Sequence, residues 1–145
     1  MIILNENTST INADNMILGR MASIIAKRLL CGERVIVVNA EKVVISGKKK
    51  NKVILTKNFL KVGHPRKGPF HYKRPDQIVK KTIKGMLPHR QAKGKQAYKR
   101  LQVFSSIPQE FKDIKMEKLA EAMSTKLKCP YFYLGDLAKE IGWGV

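Results

Sequence analysis

Apolar residues recur every three or four positions in the first part of the chain, which is the spacing of one face of an α-helix. The residues on this face are Leu18, Met21, Ala22, Ile25 and Leu29. Cys31-Gly32 follows directly, and glycine commonly terminates a helix. The pattern predicts an amphipathic helix that begins around residues 16–19 and packs its apolar face on a core.

Continuous apolar runs follow this helix. The run RVIVVN at 34–39 is rich in β-branched residues, which is typical of a strand buried on both faces. A turn is expected at 40–42, and a second apolar run at 43–45 ends at Ser46-Gly47. A short extended segment precedes the helix, so the order is strand, helix and strand. This order predicts an α/β fold, in which helices pack on a parallel sheet.

The middle of the chain has a helical pattern followed by an irregular one. Leu55, Phe59 and Val62 have helical spacing and predict a helix over residues 48–62. The next segment, GHPRKGPFHYKRP at 63–75, contains three prolines and two glycines. It predicts a loop, because proline fixes φ and removes a hydrogen-bond donor.

A further amphipathic helix is predicted from Asp76, as its cap, to about Leu87, with Pro88 ending it. Its apolar side consists of Ile78, Val79, Thr82, Ile83, Met86 and Leu87, and its basic side consists of Lys80, Lys81 and Lys84. Residues 89–100 predict a very basic helix, and residues 101–105 predict a short strand.

The remainder of the chain predicts two short helices, at 116–123 and 134–141, with acids and bases alternating along them. We therefore expect one α/β domain at 1–107 and a helical C-terminal extension at 108–145 that packs on or beside it.

The distribution of charge along the chain indicates a function. The chain has 145 residues and a formal net charge of +18, and residues 48–100 hold 18 of the 29 basic residues but a single acid, Asp76. A generic soluble surface would explain some of this charge, but solubility is served by mixed signs and by acids at least as well. A 53-residue segment with one acid is typical of a protein that binds a polyanion.

Several other classes of protein are excluded by pattern. No apolar run approaches the roughly 18–20 residues of a membrane span, and residues 1–4 are too short an apolar start for a signal peptide. Cys31 and Cys129 are too far apart for a metal motif, and we expect both to be reduced thiols of a cytoplasmic protein. The segment Ser46-Gly47-Lys48 lacks the glycine and the hydroxyl residue of a phosphate-binding loop.

An enzyme is not expected. His64, His71 and His89 are the available general-base histidines, and Asp76 is the single acid near them in sequence. Polar or stacking roles in a basic segment are the simpler interpretation, because acid–base catalysis usually needs a tuned pair. We expect no cofactor, no metal and no small-molecule substrate.

The loop has the composition of a nucleic-acid contact. Phe70, His71 and Tyr72 lie between the basic pairs at 66–67 and 73–74. Cations neutralise phosphates, while flat rings stack on unpaired bases. Two alternatives stay open: Phe70 and Tyr72 anchor the loop on the protein, and the lysines at 80, 81 and 84 form a plain solvated helix face.

Composition does not separate RNA from DNA. A proline-interrupted basic loop suits an irregular folded RNA better than a uniform groove. The alternatives are a chromosomal or DNA-compacting protein and, less favoured, an RNA-processing enzyme. A membrane-surface role is weaker still, because the lysine-bearing helix has no large aromatic face.

Three motifs, in order and at the expected spacing, resemble the universal large-subunit ribosomal protein L-thirteen family. They are ILGRMAS at 17–23, VNAEKVVISG at 38–47 and IKGMLPH at 83–89. The resemblance covers residues 12–105 and favours the archaeal and eukaryotic branch, and the short chain favours archaea. It is weakest in the tail after Pro108.

The resemblance implies a three-layer α/β/α fold around a mainly parallel four-stranded sheet, without enzymatic activity. It implies binding to 23S-type rRNA in the cytoplasmic large subunit, early assembly, and contact with neighbouring ribosomal proteins, without a homo-oligomer or a membrane. The segment from Gly85 to His89 would lead into the basic helix, with Gly85 allowing close approach of RNA or of a neighbouring backbone. Arg20 would hold phosphate near a helix start, or else make a hydrogen bond within the fold.

The residues predicted to contact rRNA are Arg20, Lys48, Lys49, Lys50, His64, Arg66, Lys67, Phe70, His71, Tyr72, Lys73, Arg74, Lys80, Lys84, Gly85, His89, Arg90, Lys93, Lys95, Lys99 and Arg100.

Overall fold

A computed structural model describes residues 8–64, 66–112 and 114–144 of the chain. The strands are β1 (Thr8–Asn12), β2 (Arg34–Val38), β3 (Val44–Ser46), β4 (Leu101–Val103) and β5 (Tyr131–Tyr133). The α-helices are α1 (Leu18–Leu30), α2 (Lys49–Lys61), α3 (Pro75–Met86), α4 (Ala92–Lys99) and α5 (Leu134–Glu140). Single 3-10 turns lie at Ala40–Lys42, Gln109–Phe111, Ala120–Ala122 and Ser124–Lys126. The apolar start at residues 1–4 lies outside the described residues.

The α/β fold class is confirmed. Strands β1, β2 and β4 form a parallel sheet with β2 in the centre, and β3 pairs with β5 in a separate antiparallel ladder. The ladder is connected to the start of α1, since the N–H of Val44 donates to the carbonyl oxygen of Met16 at 2.8 Å. The expected four-stranded sheet is thus approximated by three parallel strands and a neighbouring short ladder.

The central strand β2 divides the core into two layers, because successive side chains of a strand point to opposite faces. Val35 and Val37 pack in the larger apolar cluster with α1, α3 and α4. Ile36 and Val38 pack with Phe111 on the other face. The strand is therefore buried on both faces, as the run of β-branched residues predicts.

Helix α1 packs on the sheet through the predicted stripe. Met21, Ile25 and Leu29 are fully buried. The helix ends at Leu30, two residues before Gly32, whose φ is +102°. Burying each such side chain stabilises the fold by roughly 1.5–3 kcal/mol relative to exposure. Helix α1 contributes five buried residues to the larger cluster.

Helix α3 packs beside α1, and two details differ from the predictions. Val79 and Ile83 are fully buried as expected, but Met86, the last residue of the helix, is 42% exposed. Asp76 is not the cap: the capping position is Arg74, and Asp76 lies inside the first turn. A carboxylate there still favours the helix, because it lies at the positive end of the helix dipole.

The predicted helix at 116–123 is wrong. This segment has a single 3-10 turn at Ala120–Ala122, because its backbone bonds to other elements. Glu117 exchanges backbone hydrogen bonds with β1, and the carbonyl of Ala122 accepts from the N–H of Ile17. The pairing of β5 with β3 was also not predicted, whereas the helix at 134–141 is confirmed as α5.

Candidate nucleic-acid interface

Three helices and one loop carry the basic segment. The predicted helix over 48–62 is confirmed as α2. The predicted loop is irregular in its described residues up to Arg74, Pro75 begins α3, and α4 provides the last basic turns. Cavities between these elements are lined jointly by α2, the loop and α3, or by the loop, α3 and α4. The basic segment therefore forms one connected surface, which we call the basic surface (residues 48–100).

Nearly all the predicted cationic contacts lie at the protein surface. The exposed ones are Arg20, Lys48, Lys49, Lys50, His64, Arg66, Lys67, Lys73, Arg74, Lys84, His89, Arg90, Lys93, Lys95 and Lys99. Two cations of the basic surface pair with described carboxylates: Lys49 with Glu140 at 3.4 Å, and Arg74 with Asp76 at 3.1 Å. The remaining charge of this surface therefore has no counter-charge from the described part of the chain.

Outside the basic surface, several cations pair with carboxylates. Arg28 makes two hydrogen bonds to the carboxylate of Glu117, at 2.6 and 2.7 Å. These bonds lower the pKa of Glu117, and partial burial opposes them. Lys118 lies 3.9 Å from Asp14. Balanced pairs of this kind are typical of a surface that faces water.

The loop is anchored by its histidine rather than by its neighbours. The His71 ring is half-buried, and its centroid lies 3.8 Å from that of Phe59 on α2. Phe70 and Tyr72 are 76% and 53% exposed, so neither is buried as a loop anchor. Their rings are available to a partner.

Tyr98 is a member of this surface that sequence reasoning missed. The ammonium groups of Lys80 and Lys84 lie 5.4 and 5.5 Å from its ring centroid, within cation–π range. Burial raises the pKa of the Tyr98 phenol, and nearby Tyr72 raises it further. An aromatic residue between Lys95 and Lys99 was the available signal. Lys80 is thus half-buried against a ring and not a plain solvated lysine.

Arg100 has a role inside the fold. Its side chain is half-buried, and Nη2 donates to the main-chain oxygen of Leu29 at 2.8 Å. Carbonyls in the last turn of a helix lack partners within the helix, and the Leu29 oxygen accepts from both Arg100 and the N–H of Gly32. We leave Arg100 out of the contacts proposed below.

Arg20 lies at the opposite end of α1, in its first turn. The side chain is exposed and makes no hydrogen bond to the described residues, whereas its carbonyl oxygen accepts from Ser23 Oγ at 2.8 Å. The fold-internal alternative for the guanidinium is not observed in this part of the chain.

Groups for catalysis are sparse among the described residues. No cluster of three or more His, Cys, Asp or Glu side chains there has an arrangement that holds a metal. His64 Nδ1 accepts from the N–H of Arg66, and His89 Nδ1 lies 3.3 Å from the oxygen of Leu87. Neither histidine forms an ion pair with a described carboxylate. Cys31 and Cys129 are free thiols, and both are exposed. Over residues 8–64, 66–112 and 114–144, no helix is long and apolar enough to cross a membrane.

Comparison with known proteins gives the family. The family model described as "Ribosomal protein L13" matches residues 6–110. The chain belongs to this family. Proteins named large ribosomal subunit protein uL13 match nearly its whole length: that of Methanopyrus kandleri is 40% identical over 95% of this chain and 89% of its own.

Two further archaeal relatives support the same assignment. The uL13 protein of Archaeoglobus fulgidus is 39% identical over 97% of this chain and 91% of its own, and that of Sulfurisphaera tokodaii is 43% identical over 96% and 97%. The chain is therefore of the archaeal type. Because these matches include most of the tail, the likeness extends beyond residues 12–105.

Proposed function

We propose that this chain is a non-catalytic structural constituent of the large ribosomal subunit in the cytoplasm. It binds 23S-type rRNA through the basic surface, supports early assembly of the subunit, and has neighbouring ribosomal proteins as its other partners. The observation that carries the proposal is the basic surface itself, whose cations are mostly exposed and largely without carboxylate partners among the described residues. Membership of the ribosomal protein family supports the choice of RNA.

Binding follows from charge neutralisation. Lysine and arginine side chains on α2, α3, α4 and the loop replace the counterions of RNA phosphates, and the released ions make affinity depend on salt. Phosphate contacts position the protein, and discrimination comes from the shape of the folded RNA. If about eight phosphates are contacted on mostly duplex RNA, the log–log slope of affinity against salt is on the order of −7.

We further propose that residues 1–107 form the rRNA-binding domain and that residues 108–145 are an extension packed on it. Two interactions support this arrangement: β5 pairs with β3, and Phe111 packs against the sheet face that α1 does not cover. Through both interactions, residues after 108 cover part of the domain core.

Sedimentation of a lysate through a sucrose gradient at moderate salt tests subunit membership. We expect the chain in stoichiometric amounts with large subunits and full ribosomes. Migration with DNA, or as a free small protein, would overturn the proposal and favour the chromosomal or the enzymatic alternative.

Salt titration with the purified protein tests the basic surface. Replacing Lys93 and Lys95 together by Gln reduces affinity for large-subunit rRNA and makes the slope shallower by about 1 for each phosphate that the variant no longer neutralises. Lys27→Gln, at an exposed position of α1 outside the basic surface, is the matched control and leaves the slope unchanged. A wild-type slope near −2, or equal affinity for duplex DNA at the same salt, contradicts the proposal.

A further inference from the structure

A cavity of about 380 Å³ lies where the loop meets α3 and α4. Six of the residues that line it are Phe70, Tyr72, Lys84, Gly85, His89 and Tyr98. The volume falls at the lower end of the range of small-ligand sites, about 300–1000 Å³. It accepts one small planar group but not a duplex.

Aromatic rings form part of the wall of this cavity. Phe70 and Tyr72 are mostly exposed, although side chains of this size normally bury their rings against other parts of a fold. Tyr98 is half-buried beside them, and its proximity to Tyr72 contributes to the raised pKa of the Tyr98 phenol. Rings held together at a surface are suited to stacking on an unpaired base.

Cations lie beside these rings. Lys84 Nζ is 5.5 Å from the Tyr98 centroid and also lines the cavity, together with Lys81 and His89. None of these three pairs with a carboxylate in the part of the chain that the structure describes. A ligand with a planar group and an adjoining negative charge satisfies both the rings and the cations.

Gly85 supplies an independent observation. It is the second-to-last residue of α3, and a Cβ there would meet no atom within 4 Å, so the packing of the protein does not require glycine. Gly94 on α4 is different, because a Cβ there would overlap the carbonyl of Pro88. A helical glycine lowers stability relative to alanine, and at Gly85 nothing inside the described fold compensates.

We infer that this cavity binds one unstacked nucleotide of the RNA, with the base against Phe70, Tyr72 and Tyr98 and the phosphate near Lys81 and Lys84. The open face of Gly85 lets the RNA backbone approach α3. The inference deepens the proposed rRNA-binding function and rests on it. It predicts a contact with a single base, in addition to the phosphate contacts of the basic surface.

Variants of the full chain test the cavity against a deproteinised large-subunit rRNA fragment that the wild type protects from chemical probing. Tyr98→Leu and Tyr72→Leu each weaken binding on the order of tenfold, because base–ring stacking is removed, and leave the salt slope unchanged. Tyr131→Leu, an exposed tyrosine on β5 outside the basic surface, changes affinity less than twofold. Equal reductions in all three variants, or a shallower slope, overturn the inference.

Gly85→Ala separates binding from folding. Its Tm rises by about 2–5 °C, because alanine favours the helix and meets no neighbour, whereas RNA affinity falls on the order of tenfold through the added methyl group. Unfolding cannot produce this combination. Unchanged affinity would show that RNA does not approach Gly85 and would contradict the inference.

Abasic substitution identifies the base. Each unpaired nucleotide of the protected fragment is replaced in turn by an abasic one. One replacement weakens wild-type binding on the order of tenfold and leaves the affinity of Tyr98→Leu unchanged, since the two changes remove the same interaction. If no replacement behaves this way, the cavity does not bind a base. Failure of the proposed function is distinct, because the wild type itself would then not prefer rRNA to DNA.

Free adenosine 5′-monophosphate distinguishes an RNA nucleotide from a soluble one. We expect it to compete weakly with the fragment. Tight binding of the mononucleotide, with RNA affinity unaffected by Tyr98→Leu, would assign the cavity to a soluble nucleotide and overturn the inference.

Discussion

Helices α1 and α2 each contain 13 residues, and both have apolar residues at helical spacing, yet the fold uses them differently. Helix α1 buries five residues against the sheet. Helix α2 buries none: Val53 and Leu60 are partly buried against the core, while Leu55 and Phe59 are 61% and 51% exposed.

This difference shows that apolar residues at helical spacing predict a helix but do not identify what its apolar face contacts. An isolated helix of this length is marginal in water, so most helical stability comes from tertiary packing. Helix α1 obtains that packing from its own chain. Helix α2 and its capping position carry six cations. Among the described residues, Lys49 pairs with Glu140, and the Phe59 ring contacts His71 and Lys81. We therefore expect α2 to gain stability when the basic surface meets RNA.

Hydrogen exchange gives the largest contrast between the two helices. In the free protein, amides of α1 open with a free energy approaching that of global unfolding, about 5–15 kcal/mol, whereas amides of α2 open at the low end, near zero. Added rRNA raises protection in α2 much more than in α1. Equal protection of both helices in the free protein would contradict this comparison.

Truncation to alanine measures the same contrast in packing. Ile25→Ala on α1 lowers the free energy of unfolding by about 2–5 kcal/mol, because it leaves a cavity in the core. Leu55→Ala on α2 changes it by roughly 0.5 kcal/mol or less, because the side chain is exposed. Urea unfolding of both variants is the measurement. A large decrease in the free energy of unfolding for Leu55→Ala would mean that this side chain is buried in the folded protein, and it would contradict the comparison.

Replacing Arg100 tests whether this cation stabilises the folded protein rather than contacting RNA. Arg100→Met removes the hydrogen bond to the oxygen of Leu29 and lowers the free energy of unfolding by about 1.5–3 kcal/mol. Its folded form keeps the rRNA affinity of the wild type. Lys99→Met, at an exposed neighbouring position, is the control and has little effect on folding. Preserved stability with reduced affinity would make Arg100 an RNA contact instead.

Glu117 gives the smallest effect. Because Arg28 lowers the pKa of the folded-state carboxyl, the pair stabilises the protein above the ordinary glutamate pKa and loses that contribution as pH falls through the lowered value. The pair is partly exposed, so Glu117→Gln reduces stability by about 0.5 kcal/mol or less near neutral pH. Unfolding near neutral pH and at about pH 3 measures it. The variant then loses less stability on acidification than the wild type does.

Much of the fold was predictable where local pattern and packing agree. The local pattern of apolar residues predicts the stripe of α1, the buried run of β2 and the helices α3 and α5. The helix expected at 116–123 failed because its backbone pairs with β1 and with the start of α1. Such long-range hydrogen bonds have no signature in local sequence.

Among the candidate site residues, solvent exposure distinguishes side chains that have the same composition and sequence context. Phe70, His71 and Tyr72 are consecutive rings between basic pairs, and only the structure shows that His71 packs on α2 while its neighbours remain exposed. All three rings are predicted RNA contacts, and for all three that role stays a prediction. Tyr98 enters the site because α4 lies beside α3, a neighbour relation that spacing along the chain does not contain.

The sequence by itself determined the α/β class, the location of the charge between residues 48 and 100 and, through three ordered motifs, the family. These properties depend on residue type and local order alone. The tertiary structure decided which charges are internal, as for Arg100, and which glycine has free space, as for Gly85. It also brought the rings of the loop and of α4 to one cavity, because distances between remote segments depend on how the whole chain packs.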